Sequence, residues 1–261
     1  MRDRKLASIT SELFGVGRRL ADELGEDLGA LLVGCGLQET AHEVISLGAD
    51  RVYLVDEPAL SEYHGDTYTA AVTGACQQLC PSIFLLGQTD MGLDIAPRVA
   101  ARLGTGLAMD CLQLGIDPTT RLLVQARPGY GGNALAEIVC RSGRPQTATV
   151  SPKTMSPLAP DSSRKGDIIP LKVGVDASSA RSRLVQHVKQ EVEGIKLEDA
   201  DVVVAGGAGL GSADDFKMLW ELAKVLGGAV GGTKPACEDG WLASTLLIGQ
   251  TGKVVSPNLY I

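Results

Sequence analysis

Three short apolar runs near the carboxyl end of the chain each stop at glycine. The first, Asp201–Ala205, opens into Gly206, Gly207, Ala208, Gly209, Leu210, Gly211 and Ser212, followed by an amphipathic stretch. The second, Gly228–Gly232, ends at Thr233 and Lys234; the third, Thr245–Ile248, ends at Gly249, Gln250, Thr251, Gly252 and Lys253. Strand, glycine turn and helix in that order mark an open α/β sheet, whose ligands bind at the carboxyl ends of parallel strands. Glycine lets the backbone approach a pyrophosphate, and the helix that follows offers its unpaired N–H groups to the anion. This part of the chain is therefore expected to hold a phosphorylated cofactor.

From Gly207 the turn reads G-x-G-x-x-S, so Ser212 stands where the dinucleotide fingerprint has its third glycine. The acidic ribose ligand that the fingerprint requires about twenty positions on is missing; Thr233 and Lys234 occupy the end of the second strand. A nicotinamide site thus lacks two of its parts, and a tight strand-to-helix turn without ligand is the competing reading. Recurrence at three strand ends favours a ligand. After the turn a helix is predicted, with Ser212 as its cap and Asp214 and Asp215 where the macrodipole favours acid. Phe216, Leu219, Trp220, Ala223 and Leu226 recur at helical spacing as core residues, and Gly227 is the stop. Acid in that first turn disfavours phosphate there and moves the expected pyrophosphate toward another of the three turns.

Upstream, strands and helices alternate. Leu28–Gly34, Arg51–Val55 and Ser82–Leu86 read as strands, and Gln38–Leu47, Asp66–Leu79 and Gly92–Leu103 as helices. That alternation predicts βαβ units and a parallel sheet. Val124–Ala126 and Ala134–Val139 flank the glycine-rich bend Arg127–Asn133 and are expected to form a hairpin or sheet extension. Ser151–Gly166, with its prolines, serines and mixed charge, is expected to be a surface linker or long loop. A strand is predicted at Ile168–Val175, then a polar segment, with the second unit starting near Gly194–Lys196.

With 261 residues, 44% of them hydrophobic, the chain can bury one large or two modest cores. Its net charge of −7 argues against nucleic acid, which requires a basic face. No apolar run reaches the roughly eighteen residues of a membrane span, and no signal peptide is recognisable at Met1, so a soluble intracellular protein is expected. Of the six cysteines, only Cys76 and Cys80 lie close, at helical spacing and without a second pair or nearby histidine. Free thiols are expected rather than metal ligands. His42, His64 and His187 are scattered, and no catalytic constellation is recognisable.

The sequence resembles the α-subunit of electron transfer flavoprotein over nearly its whole length. The residues that carry the resemblance are Gly87 to Gly106, Arg127 to Asn133, Arg144 to Gln146, Ala200 to Gly207 and Gly249 to Tyr260. The resemblance implies an α/β fold: an N-terminal parallel-sheet domain over 1–194, including the 151–166 linker, and an incomplete Rossmann-like, doubly wound FAD-binding domain over 195–261. It implies FAD as cofactor, a β-subunit as partner, dehydrogenases as donors and a quinone reductase or another acceptor, in the cytoplasm of a bacterium or archaeon. Fatty acid β-oxidation is one setting for such carriers. The flavin does the chemistry, so no catalytic acid or base is required.

Residue by residue, the resemblance places Gly207 in the dinucleotide turn and Gln250 and Thr251 beside the flavin ring, where a threonine hydroxyl can bond N5. Ile248 and Gly249 match the backbone lining that strand end. Thr233 and Lys234 stand where the family carries serine and arginine. A cation there favours an anionic reduced flavin, although lysine lacks the planar fork of arginine. Ala208 replaces an arginine of the family. Measured against the family, the chain begins just after the first strand and stops before the stretches that hold the adenosine half of FAD. If this is the whole polypeptide, weak or no FAD retention and exposed sheet edges are expected. Two rival readings are a nicotinamide-dependent oxidoreductase and a non-catalytic nucleotide-binding or partner subunit.

Overall fold

Ile9, Leu13, Val16 and Leu20 recur at helical spacing, and their apolar stripe becomes the inner face of α1 (Ile9–Leu24), which Gly25 stops in the left-handed region. The computed structural model describes residues 6–175, 182, 185–186, 195–249 and 251–261. The predicted polar segment, His187, the expected boundary residue Gly194, and Gln250 lie outside the described residues. The chain divides into two units, Met1–Val185 and Gln186–Ile261.

In the first unit the predicted alternation is present. β1 (Gly29–Gly34), α2 (Gln38–Ser46), β2 (Arg51–Asp56), α3 (Gly65–Leu79), β3 (Ile83–Gly87) and α4 (Asp90–Leu103) follow in order. Thr89 caps α4 by accepting the Gly92 N–H. β1 and β2 pair in parallel, Gly29 opposite Arg51 through Gly34 opposite Asp56.

Further strands fill the rest, some of them unmarked in the sequence. After β4 (Leu107–Cys111) come β5 (Gln113–Ile116), β6 (Leu123–Gly129) and β7 (Ala134–Val139), an antiparallel sheet that contains the expected hairpin. β8 (Gln146–Val150) then runs parallel between β3 and β4. β9 (Asp167–Pro170) pairs with β2 and is shorter than the predicted Ile168–Val175. Pro170 ends it, since proline has no N–H to continue a ladder, and Val173 turns inward against Gly74. The parallel strands form two three-stranded sheets, β1-β2-β9 and β3-β8-β4.

The 151–166 segment is a long loop, but it is anchored. Glu12 of α1, only 7% exposed, accepts the N–H groups of Lys153, Thr154 and Met155 at 3.0, 3.0 and 3.1 Å. The Leu158 N–H bonds the Ser11 carbonyl at 3.1 Å.

The second unit contains β10 (Val202–Gly206), α5 (Phe216–Leu226), β11 (Ala229–Gly232), α6 (Lys234–Glu238) and β12 (Leu259–Tyr260), with strand order β11-β10-β12, all parallel. Ser212 accepts the Asp215 N–H at 3.3 Å, so it caps the turn leading into α5. Gly227 stops the helix at φ 66°. Phe216 and Ala223 are buried and Leu219 half-buried, but Trp220 and Leu226 are 44% and 38% exposed. The expected core stripe is thus narrower, because α5 packs against β10 and β11 with only one face. The third predicted strand, Thr245–Ile248, is mostly a single tight turn over Ser244–Leu246; only Leu247 and Ile248 reach a ladder. Leu246 turns into the core beside Val204 and Val230 instead.

Removing the Glu12 carboxylate would strand three part-buried N–H donors. Glu12→Ala is expected to lower unfolding free energy by about 3 kcal/mol in urea titration. A loss under about 0.5 kcal/mol, the range of an ordinary surface substitution, would show that the loop holds without this anchor.

Candidate functional site

The geometry starts from two buried strands in register. Val203 lies opposite Ala229 and Gly206 opposite Gly232, so both strands end at the same level. The ladder continues one step into the turns: the Thr233 N–H bonds the Gly206 carbonyl at 3.0 Å. A Cβ placed on Gly207 would lie 3.2 Å from the Thr233 hydroxyl, so these two residues stand side by side.

The third chain segment joins on the other side of β11. The Ile248 N–H bonds the Gly232 carbonyl at 2.9 Å, and Leu247 bridges Gly232 in parallel. This close approach requires glycine in β11. A Cβ at Gly231 would lie 2.3 Å from the Ile248 side chain. Some of the glycines that suggested ligand contact therefore serve packing between strands.

Beyond Ile248 the chain folds back on itself. Gly252 N–H bonds Gly249 carbonyl at 3.0 Å, and Lys253 N–H bonds Leu247 carbonyl at 2.7 Å. Gly249 has φ 131°, a backbone that only glycine adopts without strain, and a Cβ there would meet nothing within 4 Å. Thr251 is exposed on this turn. Among the described residues, neither the Thr233 nor the Thr251 hydroxyl donates a hydrogen bond. Gly209, on the first turn, likewise faces open space.

Gly207, Thr233, Ile248 and Gly249 thus line one edge, at the carboxyl ends of β10, β11 and the Leu247–Ile248 segment, with Thr251 on the turn that follows. Lys234 opens α6, and Pro235 sits in its first turn, where the missing N–H is not needed. The Lys234 ammonium lies 3.5 Å from the Glu238 carboxylate one helical turn on, both well exposed.

A further pair supports the third turn. Lys253 forms a part-buried ion pair with Glu198. The partners are 55 residues apart, so no local pattern marks them. Burial alone would raise the Glu198 pKa, but the hydrogen bond and charge of Lys253 outweigh it and hold the carboxyl below its ordinary value.

All six cysteines are free, and burial pushes the Cys76 and Cys111 thiols up to about 11. Among the described residues there is no cluster of three or more histidine, cysteine, aspartate or glutamate side chains able to hold a metal. No described helix is long and apolar enough to cross a membrane.

Because folding lowers the Glu198 pKa, the pair stabilises the native state above the ordinary glutamate range. That stabilisation is lost as pH falls through the lowered native value. Glu198→Gln is expected to lower the thermal midpoint of the second unit at neutral pH and to flatten its decline on acidification. An unchanged pH profile would remove the pair from the stability of this turn.

Comparison with known proteins identifies the family. Residues 1–176 match the electron transfer flavoprotein domain, and residues 196–261 match the electron transfer flavoprotein FAD-binding domain. The chain is 42% identical over 259 residues to the electron transfer flavoprotein subunit alpha of Megasphaera elsdenii, covering 98% of this chain and 77% of that protein. It is 41% identical over 260 residues to the corresponding subunit of Thermoanaerobacterium thermosaccharolyticum, covering 100% and 78%. Identity to protein FixB of Clostridium saccharobutylicum is 38% over 260 residues, covering 100% and 77%. The chain belongs to the electron transfer flavoprotein α-subunit family.

Proposed function

We propose that this chain is the α-subunit of a two-subunit electron carrier that holds FAD at the edge formed by Gly207, Thr233, Ile248, Gly249 and Thr251, with Gln250 as a further contact. The observation that carries this reading is the shared level of the strand ends, with Gly206 opposite Gly232 and Ile248 bonded to Gly232. Open backbone at Gly209 and Gly249 suits close approach of a large dinucleotide. FAD, when bound, supplies reversible electron acceptance and release. The protein's part is to position and tune it, which requires no acid–base pair.

In this reading Thr233 and Thr251 offer free hydroxyls to the ring, and Gln250 stands between Thr251 and Gly249 in the sequence. Lys234 contributes positive charge near the reduced ring, which favours the anion. Glu238 partly offsets that charge through their ion pair. Ala208 leaves the first turn without the arginine that the family resemblance implies there. A β-subunit of the same family completes the carrier. Dehydrogenases supply the electrons and a quinone reductase or another acceptor takes them, in a bacterial or archaeal cytoplasm.

Co-expression of this chain with a β-subunit of the family tests the reading. The purified complex is expected to be yellow and to release FAD on denaturation. A colourless complex that binds NAD instead would overturn it. In the FAD complex, Lys234→Ala is expected to lower the two-electron midpoint potential by on the order of 30 mV, a tenfold shift in the equilibrium. Glu238→Gln is expected to raise it. Unchanged midpoints in both variants would remove Lys234 from the site.

A further inference from the structure

After its anchor on Glu12, the 151–166 loop reaches the carboxyl end of α2, where the Asp161 N–H bonds the Ser46 carbonyl at 2.8 Å. Loop and helix enclose a cavity of about 340 Å³. His42, Ile45 and Ser46 of α2 line one side of it, and Ser162, Arg164, Lys165 and Gly166 the other. Residue 166 must be glycine for this approach, since a Cβ there would lie 2.9 Å from the Ala49 carbonyl oxygen and 3.1 Å from the Ile45 side chain. The Arg164 guanidinium reaches back over the turn after α2, 3.8 Å from where a Cβ on Gly48 would stand.

Cations beside the end of a helix ordinarily serve its unpaired carbonyls. Here those carbonyls are already satisfied. The Leu47 N–H bonds the Glu43 carbonyl at 3.2 Å, the Ala49 N–H that of Val44 at 3.4 Å and the Gly48 N–H that of Ile45 at 3.0 Å, while Asp161 takes Ser46. The nearby carboxylates are engaged as well. Asp50 is paired with Arg18 at 2.6 Å, and Asp161 accepts the Ser163 N–H and hydroxyl at 2.9 and 2.6 Å. Both feel the charge of Arg164. Among the described residues, however, neither Arg164 nor Lys165 has a carboxylate within ion-pair distance.

What lines the cavity is therefore a surplus of donors. Arg164 brings a planar fork, Lys165 an ammonium and His42 an imidazole, and no carboxylate of the described residues stands among them. The N–H groups of Ser162, Lys165 and Gly166 and the Ser162 hydroxyl have no partner among the described residues. Ser46 serves as wall, because its hydroxyl proton is donated to the Glu43 carbonyl at 2.7 Å. A single carboxylate could use only part of this set. A phosphate group, with three acceptor oxygens and up to two charges, matches it.

We propose that this cavity binds a small molecule through its phosphate group, held by Arg164 and Lys165 with His42 as a further donor. Ile45 is the one apolar side chain of the lining, so the group that carries the phosphate is polar. The volume lies at the low end for small-ligand sites, too small for a dinucleotide. The site thus differs in ligand class from the strand-end edge of the second unit.

The test titrates the 261-residue chain, labelled with nitrogen-15, with inorganic phosphate and separately with glycerol 3-phosphate. Chloride is held at about 0.15 M, where exposed charges are screened beyond roughly 8 Å. Saturable shifts are expected in the amides of 42–46 and 162–166, and glycerol alone is expected to cause none. The tighter of the two ligands tells whether free phosphate or a phosphate monoester is the natural class. Arg164→Gln and Lys165→Gln are each expected to weaken binding about tenfold or more, the worth of one charge-assisted hydrogen bond. The remaining amide spectrum stays unchanged in both variants, which separates lost binding from lost fold. Absent or unsaturable shifts, shifts confined to 207–212, or affinities unchanged in both variants would overturn the proposal.

Discussion

The parallel register of β10 with β11 governs the candidate site. It places Gly206 opposite Gly232, so both turns leave the sheet at one level and Thr233 is held beside Gly207. A one-residue slip would send every β11 side chain to the opposite face. A slip that brought Val230 to the Gly231 position would also drive its side chain against Ile248, which a Cβ at 231 would meet at 2.3 Å. The Leu247–Ile248 segment then docks on the Gly232 carbonyl, and the 249–252 turn follows from it. Distant residues fix that turn: Glu198, from the segment before β10, grips Lys253 just after it.

The first unit depends on a different economy, in which buried polar groups are satisfied at long range. Gln146 is 2% exposed; its amide donates to the Cys140 carbonyl at 3.0 Å and its oxygen accepts the Leu123 N–H at 2.9 Å. Thr149 accepts the Asp110 N–H at 3.0 Å and donates to Gln88. These bonds tie β8 to its neighbours and allow a polar strand to occupy the middle of a sheet.

That explains what the sequence reading could and could not reach. Runs such as Arg51–Val55 and Ser82–Leu86 are apolar enough to be read as strands, and the glycines that end β10 and β11 mark where those strands stop. Gln146–Val150 was missed because its glutamine and threonines look like surface, and only partners far along the chain make burial affordable. β4 was hidden by an irregularity: its register with β8 shifts between Ala108 and Cys111, where Asp110 has φ 60°. The third glycine turn was found, but the strand before it was overestimated, because Leu246 packs inward rather than extending the ladder. The Glu198–Lys253 pair had no local signal at all. Gln250, matched to the flavin through the family resemblance, lies outside the described residues, so its part in the site is a proposal.

The central claim is that one edge of the second unit, built from three chain segments, encloses the cofactor. The most direct measurement is amide hydrogen exchange on the complex with its β-subunit, compared with and without bound FAD. The account predicts slower exchange in peptides covering 207–211, 233–234 and 248–252 together. Protection confined to one of these turns, or appearing elsewhere in the chain while all three stay unchanged, would contradict it.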